Sequence, residues 1–397
     1  MAVTTTPLAG GMHRPLFGPD HDALRESFGR FLDTEVVPRY ETWEAEGRVP
    51  REVLRRVGEL GFLGMAVPEE HGGAGTEDFL FNSVLNEEAC RRGLAAFSLC
   101  FTMQNDVALP YLLELCTQEQ AARWLPGVAS GEIILGIAMT EPQTGSDLQA
   151  ITSSARLDGD HYVLNGSKTF ITNGLNADLI ITAVRTGRTG TYADISLLAL
   201  EANTPGFTRG RNLQKLGQHS QDTAELFFDD ARVPVANLLG AEGDGFRNMT
   251  RNLAQERLSI AVGAIASARG ALERTVAYTL DRKAFGRPVA TFQNSRFQLA
   301  GCRTEIEVAQ AFVDRCLVAL DAGALAPDEA AMAKYWCSEA LGRVVDTCLQ
   351  LHGGYGYMLE YPIARDYADA RILRIYGGTT EIMKEIIGRA MGLGDRR

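Results

Sequence analysis

The chain has 397 residues, 45% of them hydrophobic and 22% charged, and a net charge of −11. That size and mix predict a soluble globular protein of two or three domains. The acidic balance argues against a general nucleic-acid or anionic-membrane surface, and no apolar run approaches the length of a membrane span.

Met1 to Gly11 lacks the charged-then-apolar order of a signal peptide, and residues 1–15 read as a loose tail. From about Asp20 to Gly131 the period is helical, with Leu24, Phe28, Phe31, Leu32 and Val36 at helix spacing. Pro50 opens a short helix that Gly61 stops, and another is predicted from about Glu77 to Arg92. From Glu132 to about Leu239 the pattern turns to strands. Ile133–Met139 is a short apolar run, Asp158-Gly159 is a hairpin turn, and Leu179–Val184, Ile195–Leu200 and Ala224–Phe228 read as further strands. Beyond Gly245 the chain is helical again. Leu253–Arg282, Gln293–Ala322, Pro327–Leu351 and Tyr361–Gly392 predict an antiparallel four-helix bundle. The expected class is α+β, with a helical domain at 1–131, a β-domain at 132–240 and a helical bundle at 241–397.

Seven scattered cysteines form no Cys-x-x-Cys pair, and six histidines form no His-Glu-x-x-His. The pattern predicts buried thiols in a reducing cytoplasm, with no disulfide framework and no zinc site.

Several short segments carry possible chemistry. Thr140 to Asp147 is a polar turn rich in backbone and hydroxyl donors, directly after Met139. Simple alternation places Phe170 and Thr172 on one strand face, where the plain reading is a core aromatic beside a satisfied hydroxyl. Arg282 and Lys283 end a long helix, where the macrodipole favours cations anyway. Gly353 and Gly354 let backbone approach a ligand, or only cap a helix. Glu256-Arg257 on a helix reads, by itself, as a solvated or ion-paired face. No Gly-x-Gly-x-x-Gly follows a strand, so a Rossmann reading has no support.

Ala331–Trp336, Gln350–Tyr357, Glu360–Ala364 and Ile375–Thr379, together with the helical, strand, helical order, resemble the acyl-CoA dehydrogenases, and in particular their long-chain branch. The resemblance runs from Asp20 to the last helix. It implies a homotetrameric FAD enzyme that oxidises a saturated acyl-CoA to the trans-2-enoyl-CoA and passes electrons to an electron-transferring flavoprotein. It also implies that Met139, Thr140, Ser146, Phe170 and Thr172 hold the flavin, with Phe170 stacking on it and Ser146 facing acyl-CoA as well. Gln143 stands where the family usually carries Gly, and is expected to crowd that loop. By the same resemblance Arg282 and the Gln350–Gly354 segment, with Gly353 and Gly354, reach FAD across a subunit boundary. Phe285 lies beside Arg282, and Gln293, Thr379 and Glu381 complete the cofactor set. Lys168 is expected to be structural.

Many members of the family carry Tyr-Glu-Gly-Thr near the C-terminus, with the Glu as catalytic base. This chain has Tyr376-Gly377-Gly378-Thr379. Gln255-Glu256-Arg257-Leu258 matches the helix on which the isovaleryl and long-chain branches keep their base. The resemblance therefore implies Glu256 as base, the Gly377 N–H as donor to the thioester oxygen, and Ser146, Arg257, Gly377 and Gly378 against the substrate. Glu141, Glu242 and Glu381 are the alternative bases. Two glycines at 377 and 378 are expected to leave room beside the reacting carbons, suiting medium, long or branched chains. The rivals are a flavin monooxygenase or oxidase on the same scaffold, a dehydrogenase of acyl-carrier-protein thioesters, and a non-catalytic partner subunit.

Overall fold

The computed structural model describes residues 14–394. Its first part is built of α1 (Pro19–Phe31), α2 (Tyr40–Glu46), α3 (Arg51–Glu59), α4 (Phe79–Arg91), α5 (Ala95–Thr102), α6 (Leu109–Leu115) and α7 (Gln118–Ser130). Local chemistry sets the ends: Pro50 is the N-cap of α3, the Asp78 carboxylate accepts from the Leu80 N–H to open α4, and left-handed Gly131 closes α7. A π-helical turn, Met103–Ala108, joins α5 to α6. Most of the predicted tail lies outside the described residues. Arg14, at its end, is not loose: its guanidinium donates to Asp314 at 2.9 Å and to Glu87 at 2.9 Å. Two carboxylates from different parts of the fold hold it.

The central part contains β1 (Leu135–Ala138), β2 (Ser154–Asp158), β3 (His161–Thr172), β4 (Leu179–Arg185), β5 (Ile195–Glu201), β6 (Phe207–Asn212), β7 (Thr223–Pro234) and β8 (Leu238–Leu239). They form one sheet in the order β6-β7-β3-β2-β4-β5-β8, with β1 parallel to β4. The predicted hairpin forms, with Asp158 opposite His161 and Gly159 at φ 65°. Periodicity misses β6, because Arg209, Arg211 and Asn212 leave it no apolar alternation. The simple alternation expected at Phe170 fails. The β3–β7 register shifts between Lys168 and Ile171, and Phe170 takes a left-handed φ of 58°.

The last part holds α8 (Gly245–Arg251), α9 (Leu253–Asp281), a ribbon of β9 (Lys283–Ala284) and β10 (Arg287–Pro288), α10 (Gln293–Asp321), α11 (Pro327–His352), α12 (Pro362–Ala370) and α13 (Thr380–Ala390). Helix α9, about 43 Å long at 1.5 Å per residue, packs against α4, α10 and α11. Small residues make this possible. A Cβ on Gly270 would stand 1.9 Å from the Arg91 carbonyl oxygen, and one on Gly263 would stand 2.9 Å from Asn86 Oδ1. The fourth predicted helix is not continuous. The α-helix ends at Ala370, a 3-10 turn covers Arg371–Arg374, Gly377 (φ 64°) and Gly378 (φ 100°) complete the break, and Thr379 then caps α13 by accepting from the Ile382 N–H. Two left-handed residues cannot continue a right-handed helix. Among the described residues no helix is long and apolar enough to cross a membrane.

The α4–α9 contact carries a stability prediction. Gly270→Ala must push two helix backbones apart and is expected to cost ~1–3 kcal/mol. Gly388→Ala in α13, where a Cβ meets nothing within 4 Å, is expected to be neutral or stabilising by up to ~1 kcal/mol. Urea unfolding followed by helical circular dichroism checks the pair. Equal midpoints for the two variants would refute the close-packing account.

Candidate active site

All three parts of the fold contribute walls to one cavity of about 450 Å³. From the N-terminal part come α4, α5 and the π-turn, with Asn86, Leu99, Met103 and Val107. The sheet contributes Met139, Thr140, Ser146, Phe170 and Thr172. The C-terminal part contributes Glu256, Arg257, Ile260, Gly377 and Gly378.

Glu256 sits in the first turn of α9 and is buried. Its Oε1 accepts from Tyr111 Oη at 3.1 Å and from Asn252 Nδ2 at 3.3 Å. Burial pushes its pKa up to about 7, against the pull of Tyr111, Asn252 and Arg257. A carboxylate poised near neutrality inside a cavity suits proton abstraction. The same turn is tied to the π-turn. Gln255 Nε2 donates to the Asp106 carbonyl at 2.9 Å, and Ser259 Oγ to Asp106 Oδ2 at 2.5 Å. Arg257 is buried too, its Nε has no hydrogen-bond partner, and burial lowers its pKa.

The other candidate bases stand elsewhere. Glu141 Oε1 accepts from Lys168 Nζ at 2.9 Å and from the Ser153 N–H at 2.9 Å, while Oε2 accepts from the Thr152 N–H at 2.7 Å. Burial alone would raise its pKa, but Lys168 and these donors hold it down to about 2. Glu141 is thus an anchor, fixing the loop that carries Thr140, and Lys168 is structural as expected. Gln143 does not crowd that loop: its Nε2 folds back to donate to Glu141 Oε2 at 2.6 Å and Thr152 Oγ1 at 2.7 Å. Glu242 is exposed and accepts from Tyr162 Oη. Glu381 is exposed on α13, its pKa lowered by its own backbone N–H and the Thr379 hydroxyl.

Gly377 and Gly378 line the cavity, while the direction a side chain would take from each is occupied by the end of a flexible side chain. A Cβ at Gly377 would lie 2.4 Å from Ile260 Cδ1, and one at Gly378 would lie 2.6 Å from Met383 Cε. Both glycines also supply backbone conformation, since both carry positive φ. Sequence reasoning missed Tyr111, Asn252, Ile260 and Lys334, whose Nζ donates to the Gly378 carbonyl. Asn252 and Ile260, each four residues from Glu256 on or beside α9, were open to a helical-neighbour argument. Tyr111 lies 145 residues away and gave no signal.

The expected cofactor residues fall into separate groups. Met139, Thr140, Ser146, Phe170 and Thr172 line the cavity. Arg282, Gln350, Gly353 and Gly354 line a second hollow with Tyr355 and His352. Phe285, 96% exposed, and exposed Gln293 stand on the turn and helix end beyond Arg282. Thr379 and Glu381 lie at the start of α13 and line neither hollow.

Residues 18–132, 136–231 and 243–392 match, in order, the N-terminal, middle and C-terminal domains of acyl-CoA dehydrogenase. The chain belongs to the acyl-CoA dehydrogenase family. It is 45% identical over 382 residues to the mitochondrial long-chain specific acyl-CoA dehydrogenase of Mus musculus, covering 95% of this chain and 87% of that one. The crystal structure of acyl-CoA dehydrogenase from Geobacillus kaustophilus superposes with a TM-score of 0.93 at 45% identity, covering 96% of this chain and 100% of that one. A glutaryl-CoA dehydrogenase from Mycobacterium smegmatis in complex with FADH2 superposes at 0.89 with 29% identity, covering 96% and 97%.

Family membership makes this an FAD-dependent enzyme that dehydrogenates acyl-CoA. The residues present fit that cofactor. Thr140, Ser146 and Thr172 line the cavity, and their hydroxyls make no hydrogen bond among the described residues. The Phe170 ring is 69% exposed on its strained backbone. Arg282 carries no carboxylate partner among the described residues and lies 5.3 Å over the Tyr355 ring.

The Tyr111 contact carries a pH prediction. A base with a raised pKa near 7 is ionised only above that pH, so kcat/KM is expected to rise through about pH 7. Tyr111→Phe removes a donor that favours the ionised form. The ascending limb is then expected to move to higher pH by roughly one unit. An unmoved limb in this variant would separate Tyr111 from the titrating group.

Proposed function

We propose that this enzyme removes the α-proton of a medium- to long-chain acyl-CoA with Glu256 and yields the trans-2-enoyl-CoA. The observation that carries this reading is the buried Glu256 carboxylate, poised near neutrality in the cavity that also holds Gly377, Thr172 and Phe170. Bound FAD supplies the acceptor for the hydride leaving the β-carbon. The chain's own residues do the rest. Glu256 takes the α-proton, and the Gly377 N–H donates to the thioester oxygen as negative charge builds there. Buried Arg257 adds positive potential to the same wall. Thr140, Ser146, Phe170 and Thr172 hold the flavin, and Ser146 also meets the thioester.

The chain-length reading rests on α9. Glu256, Ile260, Gly263 and Ser267 lie along one face of it and all line the cavity. These eleven residues of rise span about 16 Å, the length of roughly a dozen extended methylenes. The division of the cofactor residues supports a homotetramer, in which Arg282, Gln350, Gly353 and Gly354 of one copy complete the site of another. Phe285 and Gln293, exposed beside Arg282, belong to the same shared surface, and Thr379 and Glu381 complete the set from α13. The acceptor proposed for the electrons is an electron-transferring flavoprotein, as the resemblance implies.

Glu256→Gln is expected to keep its yellow colour and bind acyl-CoA, and to lose ~10²–10⁴-fold in the rate of anaerobic flavin bleaching. Bleaching at the wild-type rate would remove Glu256 from the mechanism. The same assay with straight-chain thioesters from butyryl- to hexadecanoyl-CoA tests the chain length, and a butyryl optimum would overturn it. Arg282→Ala is expected to weaken FAD retention by tenfold or more, about the strength of one charge-assisted contact, and to shift the tetramer toward smaller species. Unchanged FAD affinity by equilibrium dialysis would take Arg282 out of the site.

A further inference from the structure

Lys334 lies on α11, fully buried, among apolar neighbours such as Ala331, Ala333 and Cys337. A methionine of similar length would fill that slot without the cost of several kcal/mol that burying an ion carries. No carboxylate stands within ion-pair distance of its ammonium among the described residues. Its hydrogen bond goes instead to the Gly378 carbonyl, at 2.5 Å. Burial and the nearby Arg257 charge lower its pKa to about 8, against the more distant Glu339 and Glu381.

The partner it has chosen needs an external hold. Gly377 and Gly378 have no side chains to lock their conformation, and both sit at positive φ. On either side of them the chain is fixed: before them by Arg374 Nε 3.3 Å from Glu339, and after them by the Thr379 cap and by Thr380 Oγ1 donating to the same Glu339 at 3.1 Å. Among the described residues, the side-chain hydrogen bond to the pair of glycines themselves is the one from Lys334.

We propose that Lys334 is a positioning residue for the reaction: by holding the Gly378 carbonyl, its ammonium aims the Gly377 N–H at the thioester oxygen and adds its charge to that of Arg257 where the enolate forms. This rests on the assignment of the Gly377 N–H made above. The step itself is the ordinary one. The α-C–H bond breaks, its proton goes to Glu256, and the electron pair it leaves delocalises onto the thioester oxygen.

The test uses FAD-loaded enzyme and 3-ketododecanoyl-CoA, whose α-proton ionises without turnover and whose enolate is seen by absorbance. Wild-type enzyme is expected to bind it largely as the enolate at neutral pH. If wild type binds the ligand without ionising it, the Gly377 assignment itself fails. In Lys334→Met and Lys334→Gln the apparent pKa of the bound ligand is expected to rise by about one unit, a tenfold loss of ionisation. Flavin content and dodecanoyl-CoA affinity are expected to stay within about threefold, so the loss appears in the rate of bleaching and not in binding. Lys334→Arg, which keeps the cation, is expected to restore most of the ionisation. Wild-type ionisation in either neutral variant overturns the proposal. Loss of flavin from both neutral variants also overturns it, since that outcome makes Lys334 a support of the fold and not of the loop.

Discussion

The close approach of α9 to α4 is the constraint on which the rest of the molecule depends. Gly263 and Gly270 remove the side chains that would hold the two backbones apart, and α9 is thereby clamped between α4, α10 and α11. A glycine inside a helix costs about 1 kcal/mol relative to alanine, so two in one helix are a real concession of helix propensity to packing. In return the first turn of α9 becomes a rigid platform. Glu256 stands on that turn, and its Oε1 and the carbonyls of the π-turn receive amide and hydroxyl donors from residues that cannot drift independently.

This rigidity explains how the chain tolerates so much buried charge in one place. Glu256 and Arg257 line the same cavity and Lys334 is buried behind its Gly378 wall, yet among the described residues no two of them form a close ion pair. Lone buried charges are expensive, and each here shifts its pKa toward neutrality. The Glu141–Lys168 pair shows the alternative arrangement a short distance away. It is fully buried, closely paired and served by further donors, so the carboxyl stays ionised to low pH and has no proton chemistry to offer. One carboxylate is settled and the other is left unsettled, and only the second lines the cavity.

Much of this was legible in the sequence. The change from helical to strand period near Glu132 and back near Gly245, and the run of small residues in α9, follow from side-chain periodicity alone. Glu256 was reachable only through the resemblance, because Glu-Arg on a helix has the same local appearance whether buried or solvated. Phe170 was misread in detail, since alternation assumes an unbroken register and the bulge before Ile171 supplies the exposed ring by another route. The break at Gly377-Gly378 was written as a glycine pair followed by a capping threonine, yet the apolar period on both sides masked it. The side chains that approach the glycines could not be read at all. Ile260 is over a hundred residues away in sequence, and only the tertiary fold brings its methyl group beside Gly377.

If the proposed homotetramer forms, the separation of the Phe170 wall from the Arg282 hollow has a consequence for mixed assemblies. In the homotetramer proposed above, a chain altered at Phe170 and a chain altered at Arg282 would be damaged in different halves of a shared site. Paired in one assembly, they would form one site carrying both defects and one carrying neither. Two inactive proteins could thus restore each other's cofactor binding simply by exchanging subunits, a genetic behaviour that a site contained within one chain does not allow.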